Sequence, residues 1–592
     1  MIVPMVKVTV YGFLKDKERV LAGLQEVGCL HLIPLRPEGD MQKGGEASPQ
    51  GREALKFLLS CRQRRRQVRH PTHFDPAAVA DQARDLHRRI QTLRDERDFL
   101  RRRIMDLGPW GDFTFPPLED LEGLRLWFYT VPHNEMEKVE STDLTWEVVH
   151  RDNRFSYVVV VSEEEPEGMP VQRTHTGSKS LSELERRLEE VELELEDLQD
   201  ERSSLTRWCY LLARSLYRLE DEAQLGEAVR QTHDEGPLFA LQAWAPAERV
   251  AELQVYAGEM RLALEIETPG PVDTPPTMLR NQRALAGGQD LVTFYMTPSY
   301  WYADPSTLVF FSFALFFAMI LGDVGYGSVL GFALLLGWRR MGKSDLGRRL
   351  RILFTALISA TIGYGILVGS YFGMTPAEGT PSGALKVLDL NDYSTMMRLS
   401  ILIGVAHLVL ANIVDVWRQR RSTGALAPIG WIAMLVGAIV LWLGGGPSDS
   451  VGKAGIFSMG AGAIAVILFT SVEEKIGKRL VKGALGLTRI SGAFGDVLSY
   501  LRLFALGLAT SSLAMAFNGL ADQVGSAVRG FGILFALLIL LIGHGLNFTL
   551  AIMSGFIHGL RLNFIEFFSW SISEEGYPFR AFARKETSSW NR

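Results

Sequence analysis

Cysteine is nearly absent from this chain of 592 residues. The three present, Cys29, Cys61 and Cys209, have neither metal-ligand nor redox spacing. They read as free thiols in a reducing compartment. No cleavable leader is expected either, because MIVPMVKVTVYGF turns polar after ten residues and has no cleavage pattern. The N-terminal half is therefore expected to stay in the cytoplasm. No P-loop, zinc spacing or nucleophile elbow occurs in that half. It reads as a connector and not a catalyst, and no cofactor or metal is expected. Nor is there an internal repeat of the kind that marks secondary transporters.

A formal charge of −5 and a hydrophobic content of 47% would suit an ordinary soluble protein. Those averages conceal two unlike halves that meet near Asp304: a Glu- and Arg-rich one, then apolar runs between short polar loops. Residues 1–35 read as strand, amphipathic helix, strand. From about Arg52 to Leu107 the chain is helical and basic, with Ala83, Leu86, Ile90, Leu93, Leu100 and Ile104 at three–four spacing broken only by Arg97. The spacing returns in Leu184, Leu188, Val191, Leu195 and Leu198, within the acidic run ELERRLEEVELELEDLQDE. Two heptad segments of opposite charge predict an antiparallel coiled coil; the alternative is two solvated single helices. LRLWFYTVP and RFSYVVVVSEE read as strands of a distal lobe. PLFALQAWAP and LALEIET, with helix AERVAELQVYAGEM between them, join the proximal one.

The expected fold is mainly α: a cytoplasmic dumbbell of two small α/β lobes joined by the coiled coil, then an eight-helix transmembrane domain. The cytoplasmic part takes 1–290, with a proximal lobe at 1–50 and 210–290, arms at 52–107 and 178–209, and a distal lobe at 108–177. In the membrane part, 291–592, spans are predicted near 306–321, 325–338, 350–373, 396–416, 426–444, 454–471, 490–519 and 529–570. The first two are short and must pack as a hairpin. The last two exceed the ~20 residues of a crossing and are expected to be strongly tilted. The loops WRRMGKSDLGRRLR, WRQRRS and EEKIGKRLVKGALGLTR hold the bases and alternate with acidic or neutral ones. Basic loops face inward, so a multi-pass cell-membrane protein with both termini cytoplasmic is expected.

The last two spans each hold an arginine away from their ends, Arg502 and Arg561. A guanidinium at membrane depth costs from ~2.5 to above ~10 kcal/mol, and it cannot shed its charge. Something negative must stand beside it at least part of the time. His544, Asn547, Ser554, His558 and Arg561 follow at intervals of three, seven, four and three, along one helix stripe. Asp496, Ser499, Arg502 and Thr510 form a looser stripe. Two facing polar stripes suit the wall of an ion path. The bland alternative has an arginine snorkelling and the histidines bonded to neighbouring helices.

Four segments occur in order: TPSYWYADPS at 297–306, FALFFAMILGDVGYG at 313–327, SYLRLFALGLA at 499–509 and HGLRLNFIEFF at 558–568. On these the chain resembles, over nearly its full length, the membrane stator subunit (subunit a or subunit I) of V-type and archaeal-type rotary ATPases, in its compact prokaryotic form. The resemblance implies that Arg502 is the essential arginine facing a rotating ring of proteolipid subunits. Arg561 is then its partner, with His558 a turn before it. A ring carboxylate within ~4–6 Å of a fixed guanidinium releases its proton, and facing lipid it must be protonated. The arginine thus separates an entry path from an exit path.

Half-channel candidates are Asp496, Glu473 and Glu474 inward and His544, Asn547 and Ser554 outward, with Ser499 and Glu566 also among them. For the Glu473–Glu474 pair the alternative is a solvated helix end. His407 and Asp415 read as local hydrogen-bonding groups. Tyr302, Thr510, Ala551 and Asn563 depart from residues common in relatives, so the outer path cannot be copied from the eukaryotic branch. The implied partners are proteolipid ring subunits, peripheral-stalk subunits, a central-stalk or ring-cap subunit and membrane lipid, with no nucleic acid. Nucleotide hydrolysis would belong to partner subunits. The rival readings are a stand-alone secondary transporter with a coiled-coil regulatory domain, and a membrane-anchored scaffold whose arginines only pack helices.

Overall fold

The computed structural model describes residues 1–35, 49–70, 74–114, 123–377, 379–444, 446–472, 474–527, 531–572 and 574–585. Over these the chain is mainly helical, with an N-terminal α/β part. Its strands are β1 (Met5–Phe13), β2 (His31–Ile33), β3 (Arg125–Pro132), β4 (Thr145–Arg151), β5 (Phe155–Ser162), β6 (His233–Glu235), β7 (Leu238–Pro246) and β8 (Ala263–Glu267). The chain divides into two compact units.

One unit comprises Phe13–Gly28, Pro34–Phe239 and Phe582–Arg592. Its helices are α1 (Lys17–Val27), α2 (Pro49–Leu59), α3 (Pro76–Leu107), α4 (Met136–Glu140), α5 (Leu181–Leu205) and α6 (Cys209–Gln231). The single helix expected over 52–107 is thus two helices. Between them the chain is held to residue 206 instead: the Arg65 amide donates to the Thr206 hydroxyl and the Gln67 side chain to the Thr206 carbonyl, both at 2.9 Å. α3 and α5 pack antiparallel. Asp112, just past α3, accepts from the Ser182 amide at the start of α5, while Arg88 and Leu93 lie near Glu194 and Leu198. Leu86, Ile90, Leu100, Leu184, Val191, Leu195 and Leu198 share one buried seam, flanked by the Arg187–Glu96 and Arg101–Glu192 pairs. β3 and β4 flank β5 in an antiparallel sheet. β5 buries Ser156, Val158 and Val160 on one face, as a strand with one covered side must. β4, which no sequence signal singled out, is irregular between Val148 and His150.

The other unit comprises Met1–Gly12, Cys29–Ile33 and Ala240–Ala581. Four strands run in the order β2-β7-β1-β8, with β1 and β8 antiparallel from Lys7↔Glu267 to Tyr11↔Ala263. Then come α7 (Val250–Met260), α8 (Ala286–Tyr295), α9 (Ser306–Leu321), α10 (Val324–Met341), α11 (Asp345–Val368), α12 (Pro381–Ala384), α13 (Tyr393–Gln419), α14 (Leu426–Leu443) and α15 (Ser450–Phe469). α16 (Ile476–Leu487), α17 (Ile490–Ser499), α18 (Leu501–Ala527) and α19 (Gly532–Arg561) follow, and a π-helical segment, Leu562–Phe567, leads into α20 (Phe568–Ser571). Among the described residues six stretches are long and apolar enough to cross a membrane: α11, α13, α14 with its preceding turn, α15, Ile476–Ala527 and Gly532–Ser571; α9 is a shorter apolar helix. The chain is a multi-pass membrane protein.

Two features set the arrangement of these helices. α14 and α15 touch through glycines: a Cβ on Gly462 would lie 2.5 Å from the Gly430 carbonyl oxygen, and one on Gly437 2.7 Å from that of Gly455. Small residues seven apart on both helices let the backbones meet, which favours association where no hydrophobic drive operates. Second, α17 and α18 are separated at Tyr500, whose fully buried ring packs over Gly404, where a Cβ would sit 2.6 Å from its Cγ. The basic segment expected as the loop EEKIGKRLVKGALGLTR is helical over α16. Its lysines and arginines are spaced to leave an apolar arc, so the segment has a helical period as well as charge.

Candidate functional site

Tyr500 fixes the first side of the site. Its hydroxyl bonds His407 Nδ1 at 2.7 Å, and the His407 ring stacks on Phe567 at 4.6 Å. Residues two apart on a helix point about 200° from each other, so an inward Tyr500 directs Arg502 away from that core.

The second side is the π-helical segment after α19. In a π turn residues i and i+5 stand above one another; five residues of α-helix would set them about 140° apart. Glu566 therefore returns to the face of Arg561. Asn563 steadies the segment, donating to the Gly559 carbonyl at 3.0 Å and accepting from the Ser312 hydroxyl. The Glu566 carboxylate, 2% exposed, lies 3.9 Å from Arg502 Nη1 and 3.9 Å from Arg561 Nε. Both separations exceed a hydrogen bond, so the attraction is through space. The Ser499 hydroxyl donates to the Gly495 carbonyl of its own helix at 3.1 Å. Arg502 Nη1, Glu566 Oε2 and His558 Nδ1 are buried without a hydrogen-bond partner among the described residues. Two guanidiniums around one carboxylate leave a surplus of one positive charge.

His544 and Asn547 belong to a separate, satisfied network. One assignment of hydrogens fits it: Asn547 donates to the Tyr326 hydroxyl at 2.9 Å, and that hydroxyl donates to His544 Nδ1 at 2.8 Å. His544 Nε2 then donates to Asn518 Oδ1 at 2.9 Å, and Asn518 Nδ2 to the Phe372 carbonyl at 2.8 Å. Asn547 also donates to the Thr510 carbonyl at 2.8 Å. Buried Asp323 caps α10 and accepts from the Tyr326 amide, the Ser370 hydroxyl and the Gly373 amide. Ser554 is partly buried and joins neither group.

Asp496 accepts from the Trp570 indole at 2.8 Å, and the Arg489 guanidinium lies 4.2 Å from the centre of that ring. Glu474 pairs with Lys482 at 2.7 Å, and among the described residues nothing joins it to Asp496. Glu473 lies outside the described residues. Asp415 pairs with Arg418, whose guanidinium covers Tyr302 at 4.7 Å. Ala551 is buried among Phe310, Phe313 and Phe317. Sequence reasoning missed Tyr326, Asn518, Asp323 and Trp570 as partners; two of them stand in GDVGYG, where an acid and a phenol in an apolar setting were the available signal. Among the described residues no cluster of three or more His, Cys, Asp or Glu side chains is placed to hold a metal.

Comparison with known proteins bears on this arrangement. The V-type ATP synthase subunit I of Chlamydia pneumoniae is 28% identical over 581 residues, covering 85% of each chain. This chain resembles subunit I of the V- and A-type ATP synthases. The subunit I 1 of Treponema pallidum is 26% identical and covers 96% of this chain and 97% of its own. The A-type ATP synthase subunit I of Methanocaldococcus jannaschii is 29% identical over 69% of this chain and 64% of its own. No family model matches the chain. Among solved structures, the cytoplasmic N-terminal domain of a subunit I, homologous to V-ATPase subunit a, covers 44% of this chain and 99% of its own at 17% identity; at a TM-score of 0.24 it decides nothing about the fold.

Proposed function

We propose that the chain is the membrane-embedded stator subunit of a rotary V/A-type ATPase, passing protons along a ring of proteolipid subunits. The observation that supports this most directly is the surplus charge: Arg502 and Arg561 share one carboxylate, Glu566, 3.9 Å from each. In this reading a ring carboxylate supplies the missing anion each time it passes. It loses its proton against the fixed guanidiniums and regains one before it faces lipid, where a bare charge would be prohibitive. Arg502, Arg561 and His558 form the ion-translocation group. Glu566 holds the guanidiniums in place, and Ser499 lies beside them as a half-channel candidate. Asp496 lies on the inner half-channel, and His544, Asn547 and Ser554 on the outer one.

The rest of the chain follows from that role. α3 and α5 are the arms of an antiparallel coiled coil between two α/β lobes, a cytoplasmic dumbbell that holds peripheral stalks and meets the ring cap. α9 and α10 form the first two of eight spans, and both termini are cytoplasmic. Nucleotide chemistry stays on partner subunits, so the chain catalyses nothing alone. The relatives' names, subunit I of V- and A-type ATP synthases, support the same reading.

The test is ATP-driven proton uptake into vesicles bearing the intact complex, comparing Arg502→Lys with the unaltered chain. Lysine keeps the charge but loses the planar, permanently ionised fork. Assembly is expected to survive and pumping to be lost. Unimpaired pumping would refute the proposal and leave Arg502 a packing residue.

A further inference from the structure

The apolar stretch Ile476–Ala527 is 52 residues long. A straight helix of that length would run ~78 Å, against a hydrocarbon core of ~30 Å. Breaks at Thr488–Arg489 and at Tyr500 divide it, and α16 is surplus to any crossing. At 100° per residue, Ile476, Leu487, Leu480, Ala484, Val481 and Leu485 cover about half of its circumference, and Lys478, Lys482 and Arg479 fill the next arc. The remaining arc holds Gly483, where a Cβ would lie 2.1 Å from the Ile467 carbonyl oxygen. Arg479 donates to the Leu468 carbonyl, and its guanidinium lies over the Phe469 ring at 5.3 Å. These close approaches fall on the last turn of α15, so α16 is pinned across the end of a span; Leu487 packs inward against the core, and Ile476, Leu480, Val481 and Leu485 of its apolar arc are turned outward. Ile476 is 77% exposed, Val481 61% and Leu485 63%.

We propose that α16 lies in the membrane interface and binds anionic phospholipid. Its apolar arc enters the acyl region while its basic arc meets the headgroups, as amphipathic interfacial helices do. Charge selects the lipid. Residues 473–489 hold Lys475, Lys478, Arg479, Lys482 and Arg489 against Glu473 and Glu474, five bases less two acids, or +3. Lys482 is taken up by Glu474, whereas Lys475 and Lys478 are exposed with no ion-pair partner among the described residues.

The test places an environment-sensitive fluorophore at Leu485→Cys in a Cys61→Ala background, in the full chain, in vesicles of phosphatidylcholine with phosphatidylglycerol. Nitroxide quenchers sit on the acyl chains of one lipid or the other. Phe457→Cys, on the exposed face of α15, is the lipid-facing control. Quenching at position 485 is expected, with a preference for the phosphatidylglycerol quencher. At ~1 kcal/mol per base near an anionic surface, Lys475→Gln with Lys478→Gln should cut that preference by roughly 25-fold. A quenched control beside an unquenched Leu485→Cys overturns the proposal, as does a preference that survives both lysine changes. Loss of quenching on assembly of the whole complex also overturns it, because a partner subunit and not lipid would then cover the face.

Discussion

Replacing Glu566 by glutamine keeps the shape of the side chain and removes the one anion that lies 3.9 Å from both Arg502 and Arg561. At that distance a pair of unit charges interacts by about 1 kcal/mol in water and about 4 kcal/mol at an effective dielectric of 20. The carboxylate is fully buried and Arg561 is half exposed, so its pair with Arg561 belongs near the lower value and its pair with Arg502 nearer the upper. Counting charges gives +1 for the native cluster, +2 for Glu566→Gln, 0 for Arg561→Gln and +1 for the double variant. The double variant is therefore expected to be less damaged than Glu566→Gln alone. The coupling between Glu566 and Arg561 should be about 1 kcal/mol, roughly a five-fold difference in the unfolding equilibrium. Unfolding of the four purified full-length chains in mixed SDS micelles, followed by tryptophan fluorescence, measures it. Additivity of the two single variants within about 0.5 kcal/mol would refute the electrostatic cluster, whatever the activity of the complex.

Three further predictions rest on other parts of the chain. Burial pushes the Cys29 and Cys209 thiols up to about 11, leaving about one in a thousand as thiolate at pH 8, whereas Cys61 is only partly buried. Maleimide at pH 8 should label one thiol in the folded chain and three after denaturation; rapid labelling of a second folded-state thiol counts against it. Burial, with the charge of Arg580, holds His31 below its ordinary 6.5. The folded state therefore resists its protonation: its stability is whole above pH 6.5 and declines as pH falls through 6.5 toward the lowered value. Hydrogen exchange over Tyr577–Arg580, whose Arg580 amide donates to His31 Nδ1 at 2.9 Å, should speed up between pH 7 and pH 5 after correction for the intrinsic rate. His31→Phe should abolish that pH dependence at Phe579, and increased protection in acid would contradict the assignment. Gly462→Ala forces a methyl to 2.5 Å from the Gly430 carbonyl oxygen and should cost about 1–3 kcal/mol in the same SDS unfolding assay; a neutral result would mean that α14 and α15 are not in tight contact.

Local periodicity made much of this protein readable from its residues alone. Hydrophobic runs mark the membrane helices, and three–four spacing marks the seam between α3 and α5, because each pattern depends only on neighbours along one helix. The polar stripe from His544 to Arg561 was visible for the same reason. The break between α2 and α3 was not, since there the chain gives up helical bonds for contacts with Thr206, far away in sequence. α16 reads as a loop in the sequence because its charges mask a helical period. Which polar residues meet was decided in three dimensions. A 3.6-residue period sets Glu566 away from Arg561, and the π segment brings it back. His544 and Asn547 are separated from the arginines by their bonds to Tyr326, and Asp496 is bound by Trp570. The residues determined that a guanidinium must have an anion nearby; only the packing of α18 against α19 decided which anion it was and left one positive charge over.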